Sequence, residues 1–190
     1  MVCSVEIISD FVKSSPESQT CRGTRCIIEH IGATIIGVKP ACLISIQEKD
    51  FLAECKKHFT CGSPVSFVIV KGVKTRKQLF IYHKERLESL LSNAEIHTFL
   101  VKQGYPEAGT SETYVRLLVR KLRGTQFPHE IGLFLGYPLQ DVLGFMGAPI
   151  PFSKTMGWRM YGDTRASEKV YFKFRSARRY VRKVMREACQ

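Results

Sequence analysis

Acidic side chains are scarce in this chain: 17 Asp and Glu stand against 29 Lys and Arg, a formal charge of +12. The deficit is uneven. Residues 151–190 hold eleven Lys and Arg but three Asp and Glu, so they carry +8 and the first 150 residues carry +4. Such an imbalance points to an anionic partner, or to a cationic helix face that merely keeps the protein soluble.

Metal and nucleotide signatures are missing too. The seven cysteines, at 3, 21, 26, 42, 55, 61 and 189, include no C-x-x-C pair. The spacings Cys21-x4-Cys26 and Cys55-x5-Cys61 fit no zinc pattern, and their odd number suits reduced thiols in a cytosolic protein. Histidines at 30, 58, 83, 97 and 129 form no H-x-x-x-H pair, so no metal ligand set is named. GVKTRK and GATIIG match neither the dinucleotide nor the P-loop pattern. No cofactor follows from any motif.

Long apolar runs are absent. IGLFLGYPLQDVLGFMGAPI (131–150) is broken by two prolines, four glycines and Asp141, and neither half reaches the roughly 20 residues of a membrane span. The opening MVCSVEIISDFVKSSPESQ lacks a basic start followed by an apolar run, so no signal peptide is expected and the cytoplasm is the expected location.

What is present is ordinary globular chemistry: 44% hydrophobic and 24% charged residues over 190 positions, read as one domain spanning 1–190. Residues 4–12 suit a short helix and SSPESQ (14–19) a polar loop. In 21–46, Ile27, Ile28 and Ile31 fit a helical face and ACLISI (41–46) a strand. Phe51, Leu52, Cys55 and Phe59 give 48–59 a helical stripe. SPVSFVIVKG and KQLFIYHK predict a hairpin over about 64–83, with KGVKTRK as its charged turn. That tip, with Lys71, Lys74, Arg76 and Lys77, is a solubilising device or a phosphate-binding finger.

Helices are expected at 85–93, 93–103 and 111–124, the last capped by Ser111, and a long one at about 164–188, capped by Asp163 or Thr164. Ala166, Val170, Phe174, Ala177, Val181, Val184, Met185 and Ala188 form the apolar stripe of that last helix, and Arg178, Arg179, Arg182 and Lys183 are among the cations covering the rest. Strands early and helices late predict an α+β fold: a small antiparallel sheet (hairpin about 64–83 plus strand about 41–46), a mostly helical second half and a long basic C-terminal helix.

FPHEIGLFLGYP (127–138) invites a functional reading. Phe127-Pro128-His129-Glu130 and Tyr137-Pro138-Leu139-Gln140 each begin aromatic–Pro–x–Glu/Gln, and each run ends in glycine, at Gly136 and Gly147. Proline at a helix start, Glu or Gln reaching back to a free backbone donor, and a terminating glycine predict two helices of two to three turns joined by a tight corner. The same stop chemistry closes FLVKQGYP at 99–106. Helix starts explain Glu130 without function. His129 at a buried helix N-terminus is expected to stay neutral, as a base, donor or ligand, unless it is simply a structural residue. A recognition helix for DNA is argued against, because PLQDVLGFMG offers an acid and apolar residues where base-reading side chains belong.

Other candidates are dispersed. Lys39, before the strand, could hold an anion or face solvent; Cys42 inside the strand is expected to be a buried, inert thiol. Trp158 and Tyr161, beside Arg159, could stack on a flat ligand or anchor the final helix.

Together His30 with Ala33-Thr34, Gly37-Val38-Lys39-Pro40, LFIYHKERLE (79–88), GYP (104–106), FPHEIGLFLGYPLQDVLGF (127–145) and WRMYGD (158–163) resemble a bacterial family, found mainly in anaerobic Firmicutes, catalogued as domain of unknown function number 3793. The chain departs from it at Ala33, where proline is expected, and at Tyr82-His83, where a Tyr-Arg pair is common, which puts a role for His83 in doubt. The resemblance implies no established activity; its neighbourhood near iron-transport and flavodoxin genes implies metal or redox physiology.

Two readings result. In one, His30, His129 and Glu130 are catalytic or ligand-handling groups of a single polar pocket, with Lys39 and Asp141 in it and Trp158 and Tyr161 at its wall. In the other, the chain is an accessory protein whose Arg178, Arg179, Arg182 and Lys183 dock an acidic protein, such as a flavodoxin, or nucleic acid. No nucleophile–base–orienter set is legible, so the binding reading is preferred to the enzymatic one.

Overall fold

Short runs of Val, Ile, Phe and Tyr fit a pleated, half-buried surface, and three such runs pair. A computed structural model describes residues 4–13, 20–47, 49–60, 62–73 and 76–188. In it Ala41–Ile46 (β1), Val65–Val73 (β2) and Arg76–His83 (β3) form an antiparallel sheet in the order β1-β3-β2. The hairpin strands run further than KGVKTRK suggested, because Val73 pairs with Arg76. The tip residue Lys74, the expected loop at 14–19 and Cys3, Cys61 and Cys189 lie outside the described residues.

The described helices are Ser4–Lys13 (α1), Thr20–Ile35 (α2), Lys49–His58 (α3), Lys84–Leu91 (α4), Ala94–Lys102 (α5), Ser111–Arg123 (α6), Ile131–Phe134 (α7), Leu139–Phe145 (α8) and Arg165–Glu187 (α9). A second small sheet, Phe152–Met156 (β4) with Trp158–Tyr161 (β5), was not expected from the sequence. The fold is α+β, with the small sheet, the helical second half and the long basic helix in their expected places.

The central strand β3 organises two cores. Successive strand side chains point to opposite faces, so Leu79 and Ile81 enter one cluster and Phe80 and Tyr82 the other. The first cluster is covered by α1, α2, α3 and the second half of α9, through Val181, Val184 and Met185. The second is covered by α4 to α8. Helix α9 reaches α2 closely: a Cβ on Gly32 would lie 2.5 Å from Val181 Cγ1. On the far edge, β2 bulges between Ile69 and Lys71, and Arg123 of α6 donates to the Val70 and Ile69 carbonyls at 2.6 and 2.9 Å.

The two Gly-Tyr-Pro stops form as the sequence indicated. Gly104 and Gly136 have φ of +84° and +81°. Tyr105 N–H reaches back to Leu100 O and Tyr137 N–H to Gly132 O, while each glycine N–H bonds the carbonyl three residues earlier. This bond pair satisfies the last helical carbonyls. The cap of α6 differs from expectation. Thr110, not Ser111, caps α6 by accepting from Thr113 N–H, and Ser111 instead donates to Glu88. At the start of α9, Ser167 is buried and Ala166 exposed, the reverse of the expected stripe.

Candidate functional site

The stretch 127–138 is built of two short helices at a tight corner, but shorter than its pattern suggested. Helix α7 is one turn of four residues, and His129 and Glu130 sit in the turn before it. Glu130 makes no cap bond. Its carboxylate is buried and accepts from Lys121 Nζ at 2.6 Å and from Tyr105 Oη at 3.3 Å. Lys121 also donates to Gln103 O and lies 4.6 Å from the Tyr105 ring centroid. Glu130 therefore ties α6 and the first GYP turn to α7. Gln140 likewise reaches forward, to the carbonyls of Tyr161 and Asp163, rather than back to its own helix start.

Asp141 is the hub of the second half. It is buried within α8, an unusual place for a carboxylate unless its oxygens are bonded. They are: Oδ2 accepts from Trp158 Nε1 at 2.7 Å and Ser167 Oγ at 2.6 Å, and Oδ1 accepts from Tyr161 N–H at 2.9 Å. One side chain thus binds α8 to β5 and to the start of α9. That pull explains why Ser167, not Ala166, faces inward.

Beside this latch lies a cavity of about 440 Å³. Trp158 and Tyr137 form one wall, their rings stacked with centroids 4.6 Å apart and planes at 18°. His129 stands at the rim between Phe127 and Phe145, with centroids at 5.9 and 5.1 Å. Phe127 and Phe145 are 53% and 48% exposed, although both are large apolar rings. Leu43, Ile131, Leu135 and Val142 line the interior, and Arg159 joins the lining. His129 itself is exposed, not buried. Tyr161 packs behind α8, where a Cβ on Gly144 would meet its ring at 2.4 Å; Tyr137 takes the wall position beside Trp158.

His30 belongs to another group. Arg178 of α9 has a guanidinium nitrogen 3.3 Å from His30 Nδ1. Burial, then Arg178 and Lys39, hold the His30 imidazole below its ordinary pKa. Lys39 Nζ lies over the rings of Phe174 and Tyr137, at 5.5 and 5.7 Å from their centroids. Burial also lowers the Lys39 ammonium from its ordinary value. The buried Cys42 thiol is pushed up to about 11 by desolvation, as expected of an inert thiol. So His129 keeps company with Phe127 and Phe145, Glu130 with Lys121 and Tyr105, and His30 with Arg178. Tyr137 touches both the cavity and Lys39.

Arg178, Arg179, Arg182 and Lys183 are all exposed on α9. Arg182 Nε bonds Glu29 at 2.7 Å and Lys183 lies 3.7 Å from Glu187. Among the described residues Cys26, Cys42 and Cys55 are free thiols, no three His, Cys, Asp or Glu side chains gather as a metal site would need, and no helix is long and apolar enough to cross a membrane.

Sequence reasoning missed Tyr137, Phe127 and Phe145 as wall and rim. The signal was available in part: Phe127 and Tyr137 are the aromatics of the two aromatic–Pro pairs. Phe145 gave none, because a helical Phe reads as core until its surroundings are known.

A family model described as Protein of unknown function (DUF3793) matches residues 27–190. No curated protein and no solved structure matches the chain.

Proposed function

The chain belongs to the family of Protein of unknown function (DUF3793), and from that premise we propose that it is a binding protein whose aromatic cavity takes a flat, largely apolar small molecule. The carrying observation is the cavity itself: about 440 Å³, walled by the stacked Tyr137 and Trp158 and rimmed by exposed Phe127 and Phe145. Ligand sites are concave, mostly apolar and hold few polar groups; here those at the opening are His129 and Arg159. Exposed rings cost hydration free energy that a bound flat molecule would recover. The redox association that the resemblance carries makes quinones the first ligands to test.

Trp158 is the single tryptophan of the chain, so its fluorescence reports this cavity. Titration with menadione should quench it saturably. Phe145→Ala, at an exposed rim position, should weaken binding about tenfold, the order of one partly buried ring. Absence of saturable quenching, or equal quenching in the variant, would reject the reading.

A second reading, an acidic partner docked on α9, is favoured by one observation. The helix carries nine Lys and Arg against two Glu, and its exposed face also shows Phe172 and Tyr180, 50% and 48% exposed. In that role Arg178, Arg179, Arg182 and Lys183 meet the partner and the cavity is incidental.

A further inference from the structure

Lys39 is a half-buried cation that lies over two aromatic faces, those of Phe174 and Tyr137. Phe174 and Arg178 are four residues apart on α9 and so share a face. Lys39 thus lies over a residue one turn before Arg178 on α9, Arg178 touches His30 of α2, and the Lys39 and Arg178 charges act on one another and on His30. Three segments, α2, the turn after it and α9, bring three nitrogen-rich side chains together.

Their hydrogen-bonding roles are fixed by chemistry. A guanidinium only donates, so His30 Nδ1 must accept from Arg178. The neutral ring then carries its proton on Nε2, a further donor. Lys39 adds three N–H donors and no acceptor. The adjacent carboxylate, Glu29, is engaged by Arg182 at 2.7 Å. The nearby Cys42 thiol is uncharged at neutral pH, since burial pushes it up to about 11. Lys39 is half-buried while Arg178 and His30 are exposed beside it; like charges held close repel, and an anion between them removes the repulsion.

We propose that Lys39, Arg178 and His30 form a binding site for a phosphate group. The arginine fork can take two phosphate oxygens, while the lysine supplies a point charge and the histidine a directed donor. Lys39 does not line the aromatic cavity, although it shares the Tyr137 ring with its wall, and the test uses no aromatic ligand.

Isothermal titration of the full chain, in chloride buffer near neutral pH, would use inorganic phosphate and, separately, glycerol 2-phosphate. Saturable binding of phosphate is expected. It should weaken about tenfold or more in Arg178→Gln and in Lys39→Met, the order of one charged hydrogen bond, with both variants keeping the wild-type circular dichroism. Arg175→Gln, an exposed substitution one turn away on α9, should bind as wild type. Equal binding of glycerol 2-phosphate assigns the site to a phosphate carried on a larger molecule; binding of inorganic phosphate alone assigns it to the free ion. The proposal is overturned by absence of saturable binding or by acetate binding as well as phosphate. Equal weakening in Arg175→Gln and Arg178→Gln would also overturn it, since that marks diffuse attraction to α9.

Discussion

Two neighbouring residues, His129 and Glu130, show how little adjacency in sequence says about shared chemistry. The sequence allowed both to serve a single polar pocket. Glu130 instead turns inward to Lys121 and Tyr105, while His129 stays exposed between two phenylalanines. The histidine that burial does govern is His83. It is buried, its Nδ1 has no hydrogen-bond partner among the described residues, and a Cβ on Gly37 would lie 2.9 Å from its Nε2. Burial holds its pKa below the ordinary 6.5, as it does for His30. The sign follows: between the lowered folded value and 6.5 the unfolded chain binds more protons, so the native state loses stability as pH falls through that window. Urea midpoints should therefore drop between pH of about 7.5 and about 5.5, before carboxylates titrate appreciably. His83→Leu should flatten part of that slope. A midpoint that holds or rises on acidification would show that His83 and His30 are not held neutral.

Among elements, α8 matters most, because it joins α7, β5 and the start of α9. Its Gly144 lies under the Tyr161 ring, where an added Cβ would be 2.4 Å from the ring carbon. Gly147, just past the helix, has φ of +97° and open space around it. These two glycines should respond differently to alanine. Gly147→Ala should cost about 1 kcal/mol, the backbone strain alone. Gly144→Ala replaces a poor helix former, which by itself would help, yet it should cost about 2 kcal/mol through overpacking. It should also shift Trp158 fluorescence, because β5 must move. Equal costs in urea denaturation would remove the argument that close approach of β5 fixes Gly144. The stops at Gly104 and Gly136 were legible because a glycine followed by an aromatic–Pro pair is local chemistry. The hairpin of β4 and β5 was not. Its strands are five and four residues long, and they gain their place from the Asp141 latch rather than from their own pattern.

For the molecule as a whole, charge is distributed against the two cores. One face of α9 closes the first core, and the other remains a cationic surface with exposed Phe172 and Tyr180. On the docking reading, binding of an acidic flavodoxin-like protein should weaken steeply as salt rises from about 0.05 to about 0.2 M, where screening shortens from about 13 to about 7 Å. Neutralising Arg178, Arg179, Arg182 and Lys183 together should abolish that salt dependence while leaving the fold intact, since all four are exposed. Unchanged affinity in the quadruple variant would discard the docking role.

The sequence by itself determined the class and the parts: the apolar run of β1, the Val-, Ile-, Phe- and Tyr-rich runs of β2 and β3, the 3.6-residue stripe in the second half of α9, the glycine stops and the excess of positive charge. Each of these depends on residues near one another along the chain. Only the tertiary structure decided which candidates meet. Asp141 became a latch because Trp158, Tyr161 and Ser167 reach it from 17, 20 and 26 residues away. His30 met Arg178 across 148 positions. Such pairings are set by how helices pack on the two faces of one small sheet, and no local pattern encodes that geometry.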